Sequence, residues 1–264
     1  MTGIDEAGRT SFDRKAGLYD AMRPSYAEAM VDEVIARSGI SPEGKILEIG
    51  AGTGKATLPF ARRGRRLLAL EPGANMAAVL RRNVASFPGV EIEITTFEAW
   101  GGADGSFDLV ISAQALHWID PAVRYAKAAA ALRPKGALAL IRNEISDLAP
   151  EPLRAGLQAA YARFFPAPIW TAARNTIEAQ RRGLTAEIEG SGLFDGVHAG
   201  FFPCPVRYSR RQYLDLLDTH SDHALLAPEF REPLYQEIGE AIDRHGGSIE
   251  VPYVSMVLLA FRAA

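Results

Sequence analysis

A single cysteine, Cys204, held between Pro203 and Pro205, occurs in 264 residues. An internal disulfide framework is therefore excluded, and a cysteine-based metal site has no second thiolate to draw on. Cys204 is expected as a small residue in a strand or turn. Long apolar runs are equally scarce: the longest, Met256 to Phe261, falls far short of the roughly 20 residues that cross a bilayer. Met1 to Asp13 mixes charge and glycine without the basic-then-apolar order of a secretory signal. A cytoplasmic protein without a membrane partner is the expectation. Basic excess is missing too. Lys and Arg number 29 against 32 Asp and Glu, so arginine pairs such as Arg62-Arg63 and Arg65-Arg66 are balanced and a nucleic-acid partner is disfavoured.

What is present is ample apolar material, 48% of the chain, enough for one sizeable core in a monomer or homodimer. From Lys45 to Arg142 strand and helix patterns alternate. Strands are expected at 45–49, 66–70, 90–95, 108–113 and 137–142, and helices at 55–63, 74–83 and 121–132. Asp120 sits as N-cap of the last helix with Pro121 at its first position. Arg133 to Gly136 reads as a turn. Repeated strand–helix–strand units imply a doubly wound parallel sheet. A helix at 26–37 precedes them, with Tyr26, Met30, Val31, Val34 and Ile35 on one face. One domain is expected over 1–264. It comprises an N-terminal helical segment (10–40), a core (41–146), a helical lid (147–190 and 209–247) and late strands (196–208 and 249–262) that complete the sheet.

The most informative stretch is Ile46-Leu-Glu-Ile-Gly-Ala-Gly-Thr-Gly-Lys55. A strand runs into three alternate glycines, and a helix follows. Glycines allow a sharp turn and let a ligand lie against main-chain N–H groups at a helix start. A phosphate-binding P-loop is ruled out, because Ile49 stands five before Gly54 and Ala56 replaces the magnesium-binding hydroxyl. A dinucleotide fingerprint fits poorly, since Lys55 occupies the sixth position counted from Gly50. Glu71, at the end of the second strand and 23 residues after Glu48, could accept hydrogen bonds from both hydroxyls of a ribose.

Glu48 with Gly50, Gly52 and Gly54 resembles motif I of class I S-adenosylmethionine-dependent methyltransferases. The segment Phe107 to Trp118, the Leu132 to Gly136 turn and the lead-in Phe12 to Tyr26 resemble the same family, especially its type 11 and trans-aconitate methyltransferase branch. The resemblance covers about residues 12 to 142. It implies a Rossmann-like α/β fold with seven strands, mostly parallel and the last antiparallel, helices on both faces and a helical lid. It also implies S-adenosyl-L-methionine as cofactor, with S-adenosyl-L-homocysteine as product, and a small-molecule acceptor for the methyl group. Glu48 would orient the loop or the cofactor's amino group, with Gly50, Ala51, Gly52, Thr53 and Gly54 beneath the methionine and ribose. Glu71 and Pro72 would meet the ribose, Met76 would cover the adenine, and Phe97 would contact it through its backbone. Thr96 stands where the family usually has an aspartate for the adenine amino group. Gln114 ends the fourth strand, and Tyr19 and Arg23 would close over the cofactor, the guanidinium facing its carboxylate.

On the acceptor side, Tyr26, His117, Trp118 and Trp170 are the candidates, with His117 the candidate general base. Phe164 and Phe165 either line the pocket or pack in the lid. His220 and His223 have a metal-compatible spacing but no third ligand in sight, so no metal is expected. A nicotinamide oxidoreductase is disfavoured because Tyr125 and Lys127 are two apart, not four. A cofactor-binding protein of the same fold without methyl transfer, such as a pericyclase or a regulatory subunit, shares all these motifs.

Overall fold

The computed structural model describes residues 13–102, 105–146, 150–164, 177–224 and 226–264. Its centre is a seven-stranded sheet. Strands β1 (Lys45–Ile49), β2 (Arg66–Leu70), β3 (Val90–Glu93), β4 (Phe107–Ala113) and β5 (Leu132–Ile145) are mutually parallel. Strand β9 (Tyr253–Arg262) runs antiparallel between β5 and β6 (Phe194–Pro203), giving the order β3-β2-β1-β4-β5-β9-β6. The chain order reverses between β1 and β4, and a crevice opens there at the carboxyl ends of the strands.

The central strands are apolar on both faces because helices cover both. On one side Ile46, Leu109, Ile111, Ala139 and Val257 pack against Met30, Val31 and Val34 of α2 (Glu28–Ser38) and Phe60 of α3 (Thr57–Arg62). On the other, Leu47, Ile49, Val110, Leu138 and Met256 meet Tyr125 and Ala128 of α5 (Arg124–Ala131) and Ile188 of α7 (Ile177–Gly190). Residues 177–190, expected with the lid, thus pack on the sheet. Helix α4 (Ala74–Asn83) begins and ends where its pattern does.

The expected turn at 133–136 lies inside β5. Lys135 has φ 63°, and the pairing jumps from Phe107↔Leu132 to Leu109↔Ala137, so the turn survives as a bulge. The late strands differ more. Each breaks in two: β7 (Val206–Ser209) pairs with β8 (Ser248–Val251) in a separate ribbon. Pro203, Pro205 and Pro252 stand at or beside the breaks, and a proline has no N–H to carry a ladder through.

A second apolar cluster lies over the crevice. Leu153, Leu157 and Tyr161 of α6 (Glu151–Phe164) meet Leu216 of α8 (Arg210–Leu217), Leu234 and Ile238 of α10 (Pro228–Arg244), and Ile249 of the ribbon. Ser209 and Gln212 form a capping box at the start of α8. Helix α1 (Ala16–Met22) and the residues around it join this layer to the core. The Tyr208 hydroxyl donates to the Met22 carbonyl at 3.0 Å, and Lys15 Nζ to the Asp218 carbonyl at 3.1 Å.

Candidate active site

Between the sheet and the upper layer lies one cavity of about 660 Å³. Its floor is the glycine loop. Gly50, Gly52 and Gly54 have φ of 69°, 59° and 91°, in the region that side chains with a Cβ rarely enter. Their surroundings separate their roles. A Cβ on Gly50 would stand 2.4 Å from Ala115 Cβ, and one on Gly54 would stand 2.5 Å from Leu80 Cδ1. Those two glycines let the loop pack. A Cβ on Gly52 would meet nothing within 4 Å and would project into open space beside the loop.

Two carboxylates flank the loop. Glu71 is 8% exposed and accepts from Gly52 N–H at 2.7 Å and from Gly73 N–H at 2.8 Å, so it holds the loop as well as bordering the cavity. Glu48 is 1% exposed, and neither of its oxygens has a hydrogen-bond partner. Burial pushes its carboxyl up to about 8; Thr57, alongside but short of good hydrogen-bond geometry, opposes the shift, and the Glu71 charge adds to it. A buried, unpartnered acid beside an open glycine cradle fits a ligand that brings a cationic donor.

The N-terminal segment supplies a wall that sequence patterns only partly foretell. Asp13 accepts from Asn75 N–H at 2.9 Å and Met76 N–H at 3.0 Å, capping α4 across more than sixty residues. Lys55 donates to the Asp20 carbonyl and lies 3.6 Å from the Asp20 carboxylate. Arg23 donates through Nη2 to the Thr219 carbonyl at 2.8 Å and stacks over Tyr19 at 5.3 Å. Burial raises the Tyr19 hydroxyl pKa, with Arg23 opposing.

At the far end, Phe97 is buried against Trp100, and Thr96 Oγ1 accepts from Ala99 N–H at 3.1 Å. Thr96 thus closes its own turn. Gln114 adopts φ 55°, a strained value for a residue with a Cβ, and its side chain donates to the Asn143 carbonyl at 2.9 Å. His117 lies against Trp118 at 4.9 Å. Its place in the cavity wall lowers its pKa to about 4, with the Arg142 and Arg124 charges adding to the shift. It is uncharged at neutral pH.

Of the residues expected around the cofactor, Tyr19, Arg23, Glu48, Gly50, Ala51, Gly52, Thr53, Glu71, Pro72, Met76, Thr96, Phe97 and Gln114 border this cavity. Gly54 does not; it is spent on packing. Tyr26, His117 and Trp118 border it too, while Trp170 and Phe165 lie outside the described residues. Phe164 packs with the upper layer instead. Arg142, Asn143, Tyr253, His220, Ser221 and Asp222 also line the cavity, and sequence patterns assign none of them there. His220 and His223 have no third partner that would complete a metal-holding group among the described residues.

Residues 46–136 match the profile described as "Methyltransferase domain". An uncharacterized methyltransferase of Mycobacterium tuberculosis is 37% identical over 133 residues, covering 50% of this chain and 52% of the relative. The chain thus spans about half the length of the curated relatives it matches at that level. An uncharacterized methyltransferase of Schizosaccharomyces pombe is 25% identical over 236 residues, 89% of this chain and 88% of the relative. A solved structure, a putative type II methyltransferase from Anaeromyxobacter dehalogenans, superposes with TM-score 0.64 at 23% identity over 91% of this chain and 96% of that one. It shares the fold. The glycine cradle and the two acids lie within that matched segment, so residues 46–136 form a methyltransferase domain, similar to those of the class I S-adenosylmethionine-dependent family.

Proposed function

We propose that this protein transfers a methyl group from S-adenosyl-L-methionine to a small-molecule acceptor. The observation that carries the reading is the Gly52 cradle with the unpartnered Glu48 beneath it and Glu71 beside it. Glu48 would meet the cofactor's ammonium, Arg23 its carboxylate, and Glu71 its ribose hydroxyls. Met76 and Phe97 would border the adenine. When bound, the cofactor supplies a methyl group already made electrophilic by its sulfonium.

The chain's own task is then alignment and exclusion of water. Holding two partners in reacting geometry can lower a barrier by roughly 7–11 kcal/mol. Strained Gln114, locked to Asn143, fixes the end of β4 against the cavity, and the upper layer covers it. A cavity of about 660 Å³ suits a cofactor with a small acceptor beside it, and the net charge of −3 agrees with an acceptor other than nucleic acid. The test is transfer of isotope-labelled methyl from the cofactor when the protein is mixed with small-molecule extract, total RNA or protein. Label is expected in the small-molecule fraction, and label confined to RNA or protein would overturn the reading.

A further inference from the structure

The upper layer brings one more carboxylate to the cavity. Asp222 lies on the short helix α9 (Ser221–Ala224), 44% exposed, bordering the same space as Trp118, Tyr253 and His220. Its Oδ1 accepts from both the backbone N–H and the ring Nδ1 of His223, each at 2.9 Å. The acceptor must be the carboxylate, so Nδ1 carries the proton. His223 is 3% exposed, and its Nε2 stands 2.9 Å from the Tyr161 hydroxyl on α6. An aspartate on a single turn of helix is thereby held in one orientation by the buried pair Tyr161 and His223, and Oδ2 takes neither of the His223 bonds.

Five carboxylates border the cavity: Asp13, Glu48, Glu71, Glu98 and Asp222. Asp13 caps α4, Glu71 bridges Gly52 and Gly73, Glu98 accepts from Asp120 N–H at 3.2 Å, and Glu48 lies under the loop. Only Asp222 among them comes from the upper layer. Of the cations on the cavity wall, Lys55 is paired with Asp20 and Arg142 with Glu144 at 2.7 Å, while Arg23, assigned above to the cofactor carboxylate, donates to the Thr219 carbonyl. We propose that Asp222 is the recognition residue for a protonated amine on the methyl acceptor, and that His223 and Tyr161 are its positioning residues. This rests on the methyltransferase reading above. Burial raises the Asp222 carboxyl, but the two His223 hydrogen bonds and the His223 and His220 charges together outweigh it and draw its pKa down to about 2, so the group is ionised at neutral pH. The rings of Trp118, Tyr253 and His220 on the same wall suit a cation, which is attracted to aromatic faces.

The test uses three probes of one shape: benzylammonium, benzyl alcohol and benzoate. Each is titrated calorimetrically into the full chain, with and without saturating S-adenosylhomocysteine, so failure of the cofactor to bind is seen separately from failure of the amine site. Benzylammonium is expected to bind at least about tenfold more tightly than benzyl alcohol, with benzoate weakest. Asp222→Asn should bring the amine-to-alcohol ratio near one, while Asp222→Glu keeps part of it. Tyr161→Phe and His223→Gln should lower that ratio about threefold with S-adenosylhomocysteine affinity unchanged, a pattern that mere loss of folding would not give. The proposal is overturned if the ratio survives Asp222→Asn, if benzoate is preferred, or if none of the probes binds in either condition.

Discussion

The lower and upper walls of the cavity are built by different means. The lower wall comes from consecutive stretches at strand ends, such as Ile49 to Thr53 and Leu70 to Gly73, where backbone geometry does the work and residue type follows from it. Upper-wall groups come from His220, α9 and the β9 start, and Asp222 there is set through its neighbour His223 by Tyr161 on α6, far along the chain. A wall made of backbone tolerates few substitutions and presents one ligand shape. One made of side chains on short helices can change its acceptor without disturbing the floor.

The largest expected effect lies on the floor. Glu48→Gln should weaken S-adenosylhomocysteine binding on the order of 100-fold, about 2.7 kcal/mol, while leaving amine binding at Asp222 in place. The same substitution should stabilise the ligand-free protein in alkali. Glu48 has a pKa of about 8 when folded against an ordinary 4.5, so the folded state binds the extra proton between those values. Stability from this group is complete below 4.5 and is lost as pH rises to about 8. Glu48→Gln should therefore raise Tm by roughly 5 °C at pH 8.5 and by little at pH 4.5. A variant destabilised at both pH values would break the contrast between the walls.

Gly50→Ala comes next. Its Cβ meets Ala115 at 2.4 Å and its φ is positive, so thermal unfolding should show a loss of about 2–3 kcal/mol. Gly52→Ala, strained but unopposed in space, should lose only about 1 kcal/mol of stability while weakening S-adenosylhomocysteine more than tenfold. Equal effects of the two on unfolding would contradict their separate roles.

Because a cationic ligand group favours ionised Glu48, wild-type affinity should rise on the order of tenfold from pH 6.5 to 8 and then level off. Titrations in buffers of different ionisation heat should show a proton released on binding over that window, and a flat profile would count against Glu48. The smallest effect belongs to the upper layer. Ser209→Ala removes the capping box of α8 and should cost about 1 kcal/mol with cofactor affinity unchanged.

The floor was legible in sequence because its signals are local. Strand β2 and helix α4 fall where the residue pattern puts them, and the spacing of Glu48, the glycines and Glu71 survives folding intact. Gly54 belongs to the same motif, yet the need to pack against Leu80 keeps it from the cavity. Asp13 gave no signal, since its partners Asn75 and Met76 are contiguous with it only in space. The late strands read as continuous from alternation alone, whereas the prolines at 203, 205 and 252 divide sheet from ribbon. Asp222 stood in a polar stretch that fits any lid, and only the fold brings His223 to Tyr161.

The most direct measurement is calorimetric titration of S-adenosylhomocysteine into the wild-type chain and Glu48→Gln at pH 8. One-to-one binding in the micromolar range is expected for the wild type, weakened on the order of 100-fold in the variant. Absence of wild-type binding at millimolar ligand, or equal affinity of the two, would contradict the assignment of the glycine cradle and Glu48 to the methyl donor.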